Sequence, residues 1–362
     1  MYLKKISITN FKNISQAQII FSPKINCITG INGSGKTNLL DAVYYLSMTK
    51  SFFPGLDQYT IKYDCDMTAL HAEYSREDGT EEKISLSLDI NGEKRIKRNS
   101  KSYTRLSDHV GLIPVVMVSP ADACLINESG EERRKFLNAI LSQLDREYLR
   151  KLQNYNQLLN QRNRLLKGIN ISDELLSTFS EQLSTNASYI YKSRKEFCNK
   201  LLPLVSYYYS MLSGGRESID IEYRSDLEEA RLIDLLEQNR ERDKAFKFTT
   251  TGIQRDDLLF LMNGFPIRRC GSQGQQKSFL ISLKLAQFSI MKEIHKVPPV
   301  LLLDDVFDKL DMLRVEYLLR LVASDFFGQI FITDSSKVRI SNILETINGD
   351  SVSIEIENGW II

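Results

Sequence analysis

Cysteine, histidine and tryptophan are scarce in this chain. Its 362 residues include five cysteines, three histidines and one tryptophan. The cysteines are scattered and form no Cys-x-x-Cys pair, which indicates a reducing compartment and argues against a zinc site. The histidines lie far apart in the sequence, so they indicate neither a metal site nor the base of a catalytic nucleophile.

Long apolar runs and a strong net charge are also missing. No stretch reaches the roughly 18 apolar residues of a membrane-spanning helix, and the first residues hold no signal-peptide core. We therefore expect a cytoplasmic protein with no membrane association. Lys and Arg number 47 against 46 Asp and Glu, a net charge of +1. Any nucleic-acid surface must then be a local basic patch.

A glycine-rich turn follows the third of three predicted strands, at 2–9, 16–22 and Ile25–Thr29. Helical spacing of apolar residues resumes after the turn. Backbone N–H groups of such a turn can surround a phosphate at the positive end of the following helix. Lys36 would reach the β- and γ-phosphates of ATP, and the Thr37 hydroxyl would bind Mg²⁺. The predicted ATP-binding P-loop consists of Gly30, Ile31, Asn32, Gly33, Ser34, Gly35, Lys36 and Thr37.

Further strands are predicted at 68–75 and 83–90, and Asn91-Gly92 predicts a type I′ hairpin turn after them. Six cations follow this turn on a predicted strand and loop, where they could neutralise phosphates without reading sequence. They are Lys94, Arg95, Lys97, Arg98, Lys101 and Arg105. A second basic set decorates the next helix: Arg146, Arg150, Lys151, Arg162, Arg164 and Lys167. Either set is a candidate DNA contact or simply a solvated polar face.

The middle of the chain predicts helices. From Glu131, apolar residues recur at steps of three and four as far as Leu159, which predicts one long helix packed by a heptad-like stripe. Residues 168–172 break the pattern, and a second helix follows until Pro203 interrupts it. Ser225-x-x-Glu228 predicts a capping box that opens a third, shorter helix. Two long helices joined by a short loop predict a helical arm.

After about residue 250 the pattern returns to strand and helix. The apolar run Val300–Leu303 predicts a buried strand, and Asp304 and Asp305 follow it. The strand end would lie beside the P-loop, where Asp304 would hold Mg²⁺ and Asp305 would orient or deprotonate the attacking water.

Two further segments resemble parts of the ABC-type ATPases. Ser272, Gln273 and Gly274 open a predicted helix 32 residues before Asp304, like the signature segment of that superfamily. The resemblance implies that they contact ATP bound by a second subunit. The segment Asp308–Asp311 is similar to the D-loop at the same dimer interface. ABC transporters have a switch histidine that this chain lacks. Thr333 or Asp334 is therefore the candidate sensor of the γ-phosphate.

The spacing of the motifs predicts the architecture. Lys36 and Asp304 are separated by 268 positions, far more than a compact P-loop domain needs. We predict an α/β fold: an SMC-like, ABC-type ATPase head with a mixed sheet and an inserted helical arm. The head would comprise residues 1–125 and 248–362, and the arm residues 126–247.

The chain resembles the RecF family of bacterial DNA repair and replication proteins along essentially its whole length. Within Gly252–Leu258 it has Ile253 and Gln254 where the family usually has Pro and His. The segments that carry the resemblance are 8–13, 30–38, 119–122, 132–137, 141–145, 155–167, 252–258, 272–277 and 301–311.

This resemblance implies an ATP-dependent homodimer that binds DNA at single-strand/duplex gap junctions. It implies cooperation with RecR and RecO in loading RecA onto single strands coated by SSB, a part in the SOS response, and slow hydrolysis that releases the dimer. ATP and Mg²⁺ would be the cofactors. The alternatives are the nucleotide-binding subunit of an ABC transporter, another SMC-like ATPase acting on DNA ends, and a module in which ATP only holds a dimer together.

Overall fold

The computed structural model describes residues 1–76, 78–168, 171–308, 310–322, 324–340 and 350–362, with the backbone alone at Met312 and Val322. The chain divides into two compact units. The head unit comprises Met1–Asp122, Met211–Gly214 and Gln273–Ile362, and the arm unit comprises Ala123–Ser210 and Gly215–Ser272. The sequence-based limits at residues 125 and 247 stay a prediction. In the described part of the chain, no helix combines the length and apolar character needed to cross a membrane.

The strands are β1 (Tyr2–Phe11), β2 (Ile14–Ile20), β3 (Ile25–Thr29), β4 (Met67–Ser75), β5 (Glu81–Asp89), β6 (Lys94–Arg98), β7 (Lys101–Ser102), β8 (Val115–Val118), β9 (Ile219–Arg224), β10 (Asp257–Met262), β11 (Phe265–Pro266), β12 (Val300–Asp304), β13 (Ile330–Asp334), β14 (Ser351–Glu357) and β15 (Trp360–Ile361). The helices are α1 (Lys36–Met48), α2 (Cys124–Asn127), α3 (Gly130–Leu144), α4 (Arg146–Leu166), α5 (Asp173–Ser213), α6 (Leu232–Gln238), α7 (Arg240–Phe246), α8 (Ile267–Cys270), α9 (Gln273–His295) and α10 (Met312–Val322).

One sheet of the head unit is antiparallel, in the order β2-β1-β4-β5-β6-β7. Buried and more exposed residues alternate along its strands, because one face of the sheet covers the core. Ile6 and Ile8 are fully buried, while Ser7 lies on the other face. The predicted hairpin between β5 and β6 is confirmed, but the prediction of a type I′ turn is wrong. The connection has four residues rather than two, and of Asn91 and Gly92 only Gly92 has a positive φ, of 85°.

The second sheet of the head unit is mixed, as predicted, in the order β15-β14-β3-β13-β12-β8. β14, β3, β13, β12 and β8 run parallel, and β15 is antiparallel to β14. β3, β8, β12 and β13 are buried throughout, which explains their continuous apolar character. Because parallel strands end at the same edge, the residues that follow these four strands meet there.

The arm unit joins its helices to the antiparallel sheet β11-β10-β9. Two arginines are almost completely buried in it and pair with aspartates: Arg194 with Asp256, and Arg162 with Asp243. Arg133 makes a two-pronged pair with Asp257, with N···O distances of 2.7 and 3.0 Å.

Two predictions about the arm helices are wrong. The helix expected from Glu131 to Leu159 is two helices, because Asp145 has extended backbone angles and its carboxylate caps α4 by accepting from the Glu147 N–H. Pro203 does not end the second helix. α5 continues through it to Ser213, and the fully buried Leu201 and Val205 hold the helix against its neighbours on both sides of the proline.

The predicted third helix also begins later than expected. Ser225 caps a short 3₁₀ turn at Asp226–Glu228 by accepting from the Leu227 N–H, and α6 begins only at Leu232. The Glu228 carboxylate does not return to the cap, because it pairs with Lys195 at 3.0 Å.

Candidate functional site

The predicted P-loop connects β3 to α1 at the common edge of the parallel strands. Gly33 and Gly35 have φ values of 81° and 117°, a region that side chains with a Cβ rarely adopt. A Cβ at Gly35 would also lie 2.9 Å from the side-chain amide of Asn13. Asn13 in turn donates to the Ser34 carbonyl oxygen and accepts from the Asn38 amide. The glycines are therefore required by the path of the loop.

Lys36, the first residue of α1, folds its side chain back over the loop. Its Nζ donates to the carbonyl oxygens of Gly30 at 2.6 Å and Ile31 at 2.9 Å. Burial lowers the pKa of Lys36, and the carboxylates of Asp305, Asp304 and Asp334 oppose that effect. The ammonium group thus lies against the backbone of the loop, where an anionic ligand would meet it.

Asp304, the last residue of β12, is held by three hydroxyl groups from three parts of the head unit. Its Oδ1 accepts from Thr37 at 2.9 Å and from Thr333 at 2.8 Å. Its Oδ2 accepts from Thr37 at 3.1 Å and from Ser119 at 3.3 Å. Asp304 is almost completely buried. The carboxylate and the P-loop threonine therefore lie together, as predicted from the sequence.

The donor set of this site suits ATP and a magnesium ion. Mg²⁺ prefers oxygen ligands, and Thr37 and Asp304 offer a hydroxyl and a carboxylate within hydrogen-bond distance of each other. The Ser34 hydroxyl is buried in the loop and has no hydrogen-bond partner among the described residues. A buried, unpaired hydroxyl is costly unless a ligand pairs with it. Thr37, Asp304 and Ser34 thus fit a phosphate chain with its metal ion.

Asp305 follows β12 in the left-handed region, with φ of 48°. Its N–H donates to the Thr333 hydroxyl at 3.0 Å, which fixes the backbone at this position. Burial raises the pKa of Asp305, and the negative charges of Asp334 and Asp308 raise it further. A carboxyl group with a raised pKa is a suitable proton acceptor.

The signature-like segment begins α9. Ser272 and Gln273 are exposed and Gly274 is half-buried, so a second molecule can reach this helix start. Three residues further, Lys277 donates to the backbone oxygens of Asp305 at 3.1 Å and Asp308 at 2.5 Å. The start of α9 is thereby tied to the segment that follows β12.

The D-loop-like segment leads directly into α10. Asp308 is exposed, and Lys309 lies outside the described residues. Asp311 accepts from the Arg314 N–H at 3.0 Å, which caps the first turn of α10. Asp311 therefore has a local structural role in this chain.

The two candidates for the γ-phosphate sensor differ in their surroundings. The Thr333 hydroxyl is fully buried and is used by Asp304 and Asp305. Asp334 accepts from the Ser336 N–H at 2.7 Å and pairs with Arg339 at 3.0 Å. Thr333 thus orients the acidic pair. Its assignment as sensor stays a prediction.

Ser119 is a site residue that sequence reasoning named only as part of a family segment. It follows β8, and its hydroxyl donates to Asp304. Its N–H donates to Asp122, which forms a buried ion pair with Lys284 of α9 at 2.7 Å. The available signal was a small polar residue directly after a short, fully apolar strand, the pattern that also marks Asp304.

The candidate DNA-binding strand contains both paired and unpaired cations. Lys94 is largely buried, where it bonds Asp57 and the Thr49 carbonyl oxygen. Glu93 and Glu82 neutralise the two arginines of β6: Arg95 pairs with Glu93, and Arg98 binds Glu82 through two nitrogens. Lys97 and Lys101 are exposed and have no ion pair among the described residues.

Comparisons with known proteins identify the family. The model of the RecF/RecN/SMC N terminal domain family matches residues 2–349. The DNA replication and repair protein RecF of Azobacteroides pseudotrichonymphae is 48% identical over 363 residues, covering 100% of this chain and 99% of the relative. RecF of Bacteroides thetaiotaomicron is 44% identical over 362 residues, covering 100% and 98%. A solved structure of the recombination mediator protein RecF with ATP, in the RecFOR pathway, superposes with a TM-score of 0.90 at 32% identity, covering 100% and 97%.

Proposed function

This chain belongs to the RecF family of DNA replication and repair proteins, and from that premise we propose that it is an ATP-dependent, DNA-binding recombination mediator. The observation that carries the proposal is the convergence of Thr37, Ser119 and Thr333 on the Asp304 carboxylate. Such an arrangement holds an oxygen-donor set beside the P-loop before any nucleotide binds, so little reorganisation is needed. A transporter subunit would not be expected to share full-length identity with this family.

ATP would lie along Gly30–Thr37, with backbone N–H groups and Lys36 on the β- and γ-phosphates. Mg²⁺, held by Thr37 and Asp304, would neutralise phosphate charge. Asp305 would accept a proton from the attacking water, since its raised pKa suits that role. Hydrolysis would be slow and would serve to release a dimer rather than to drive a metabolic reaction.

Ser272, Gln273 and Gly274 would contact ATP bound by a second copy of the chain. Their position at the start of α9 supports this role, because a helix N-terminus attracts anions and Ser272 and Gln273 are exposed there. ATP would then join two heads, as the resemblance to ABC-type ATPases implies.

The dimer would hold DNA at single-strand/duplex gap junctions and act with RecR and RecO in loading RecA. A recombination mediator of the RecFOR pathway among the similar structures supports this assignment. On the head unit, Lys97 and Lys101 are the strongest candidate DNA contacts, because Lys94, Arg95 and Arg98 have acidic partners.

Sizing in solution with and without ATP and gapped DNA tests the dimer. We expect ATP to dimerise the wild type, and Lys36→Arg and Ser272→Arg to prevent dimerisation. Ser188→Arg, at an exposed serine on α5, is the matched control. A Ser272→Arg protein that still dimerises on ATP would contradict the role proposed for the second subunit.

Turnover and DNA affinity test the remaining roles. We expect Asp305→Asn to dimerise normally but to hydrolyse ATP about 100-fold more slowly.

Charge reversal at Lys97 and Lys101 is expected to weaken binding to gapped duplex and to reduce the salt dependence by roughly one unit per lost phosphate contact. Lys200→Glu, on an exposed position of α5, is the control. Unchanged salt dependence would remove the strand from the DNA-binding surface.

A further inference from the structure

We propose that the turn after α7 is a binding platform for single-stranded DNA, with Phe246 and Phe248 stacking on bases and Arg242 and Lys247 contacting phosphates. This inference rests on the proposed function and adds a site on the arm unit that recognises the unpaired strand.

Two phenylalanines are displayed to solvent on this turn. Phe246 is 58% exposed and Phe248 is 41% exposed. Their ring centroids lie 6.0 Å apart at an interplanar angle of 54°. Exposed phenylalanine is costly in water, so two such rings side by side indicate a surface that is covered in the working complex. Every base offers a flat aromatic face to such rings, whatever the sequence.

The surroundings of the rings are positively charged. The Arg242 guanidinium lies 5.8 Å from the centre of the Phe246 ring, and Lys247 lies between the two phenylalanines and is exposed. Among the residues that the structure describes, neither cation has an acidic partner. Lys244 is paired with Asp173 and Glu241. Unpaired cations beside aromatic rings favour a polyanion with flat bases over an uncharged apolar partner.

Hydrogen bonds to buried polar groups hold the turn on both sides of the two phenylalanines. Asp243 is fully buried, and its Oδ2 accepts from Arg162, which is also buried. Its Oδ1 accepts from the N–H and the hydroxyl of Thr250, at 2.8 and 2.7 Å. Thr249 donates through its N–H and hydroxyl to Asn163, both at 2.8 Å. Both ends of the Phe246–Phe248 segment are therefore anchored.

An anchored turn loses little conformational entropy when it binds, which favours stacking on a flexible strand. Bases in a duplex are already stacked on each other, so the rings cannot reach their faces. We therefore expect the platform to bind single strands more tightly than duplex. Cations such as those of β6 contact phosphates, which both forms of DNA offer, so they cannot create this preference. Removing one ring is expected to lower single-strand affinity about 5-fold or more.

The experiment compares wild type with Phe246→Ala, Phe248→Ala and the double variant in the full-length protein. Binding of a fluorescent oligothymidylate of about 15 nucleotides, and of a blunt duplex, is measured by anisotropy over a range of salt concentrations. Phe265→Ala, at an exposed phenylalanine of β11, is the control for losing a surface ring. Lys247→Gln and Arg242→Gln test the cations, with Arg216→Gln, another exposed arginine of the arm unit, as their control.

We expect all three ring variants to lose oligothymidylate affinity with unchanged salt dependence and unchanged duplex binding. The cation variants are expected to reduce the salt dependence of single-strand binding. Oligothymidylate containing 5-iodouracil is expected to cross-link to Phe246 or Phe248 on irradiation. Unchanged affinity in the double variant, or no oligothymidylate binding by wild type, would overturn the proposal, and a protein partner would then be the better occupant.

These outcomes separate this proposal from the proposed function. If the wild type dimerises on ATP and binds gapped duplex while the ring variants equal it on single strands, only the platform is wrong. If the wild type neither dimerises on ATP nor binds any DNA, both are wrong.

Discussion

Replacing Thr333 with valine tests whether this residue positions the acidic pair or senses the γ-phosphate. Valine keeps the shape of threonine and removes only the hydroxyl. That hydroxyl donates to Asp304 at 2.8 Å and accepts from the Asp305 N–H at 3.0 Å. A hydrogen bond to a charged group contributes about 1.5–3 kcal/mol, and a buried N–H left unpaired costs about 1–3 kcal/mol. Because Thr37 and Ser119 still donate to Asp304, we expect a net loss of about 2–4 kcal/mol in unfolding free energy.

Unfolding by heat and denaturant measures this loss, and nucleotide titration identifies its cause. If Thr333 positions Asp304, Thr333→Val weakens Mg-ADP and Mg-ATP binding alike, because both need the carboxylate. Thr333→Ser keeps the hydroxyl and loses one methyl group, so it is expected to cost about 1 kcal/mol and to leave nucleotide binding intact. A Thr333→Val protein as stable as wild type, or one that loses affinity for ATP but not ADP, would refute the positioning role.

The other predictions concern three different groups. Arg194→Met is expected to lower the unfolding free energy by about 3–5 kcal/mol, because it leaves the Asp256 carboxylate buried without its cation; chemical denaturation measures this, and adding Asp256→Leu is expected to restore much of the loss. Burial lowers the pKa of His109 below its ordinary 6.5, so the unfolded state binds the proton more readily and stability is lost as the pH falls below about 6.5. Melting temperatures measured from pH 7.5 to about pH 5 are expected to fall less steeply with acidification for His109→Gln than for the wild type. An identical fall in both proteins would contradict the lowered pKa of His109. Gly35→Ala is expected to fold but to bind ATP roughly 10-fold or more weakly, because φ of 117° strains an alanine by about 1–3 kcal/mol; calorimetric titration checks this, and wild-type affinity would contradict it.

Local patterns in the sequence predicted the parts of the site that lie on strand ends. An apolar strand followed by glycines, and another followed by acids, end at the same sheet edge when the strands are parallel. Thr37 and Asp304 are accordingly 2.9 Å apart although they are distant in the sequence. The cations of β6 were also located correctly. The ion pairs of Lys94 and Arg98 were not predictable, because Asp57 and Glu82 belong to other elements of the chain, whereas Glu93 is only two residues from Arg95.

What sequence reasoning missed depends on tertiary contacts. The break at Asp145 left the heptad stripe of apolar residues unchanged, so periodicity could not reveal it, whereas the capping carboxylate could have. A proline such as Pro203 usually interrupts a helix because it lacks an N–H donor, yet packing around Leu201 and Val205 outweighs one missing hydrogen bond. The exposure of Phe246 and Phe248 could not be predicted, because the periodicity of apolar residues indicates which side chains are buried and not which are exposed.

The position of β3 in the mixed sheet has a consequence for synthesis on the ribosome. β3, which leads into the P-loop, lies between β13 and β14, and the Gly359 N–H bonds the Ser34 carbonyl oxygen at 2.8 Å. Residues about 300 positions apart must therefore meet before the loop has its final support. The nascent head cannot close its nucleotide site until β13 and β14 have been translated. The arm unit, whose residues are nearly contiguous, can fold first, so ATP can act only on a chain in which both strand neighbours of β3 are in place.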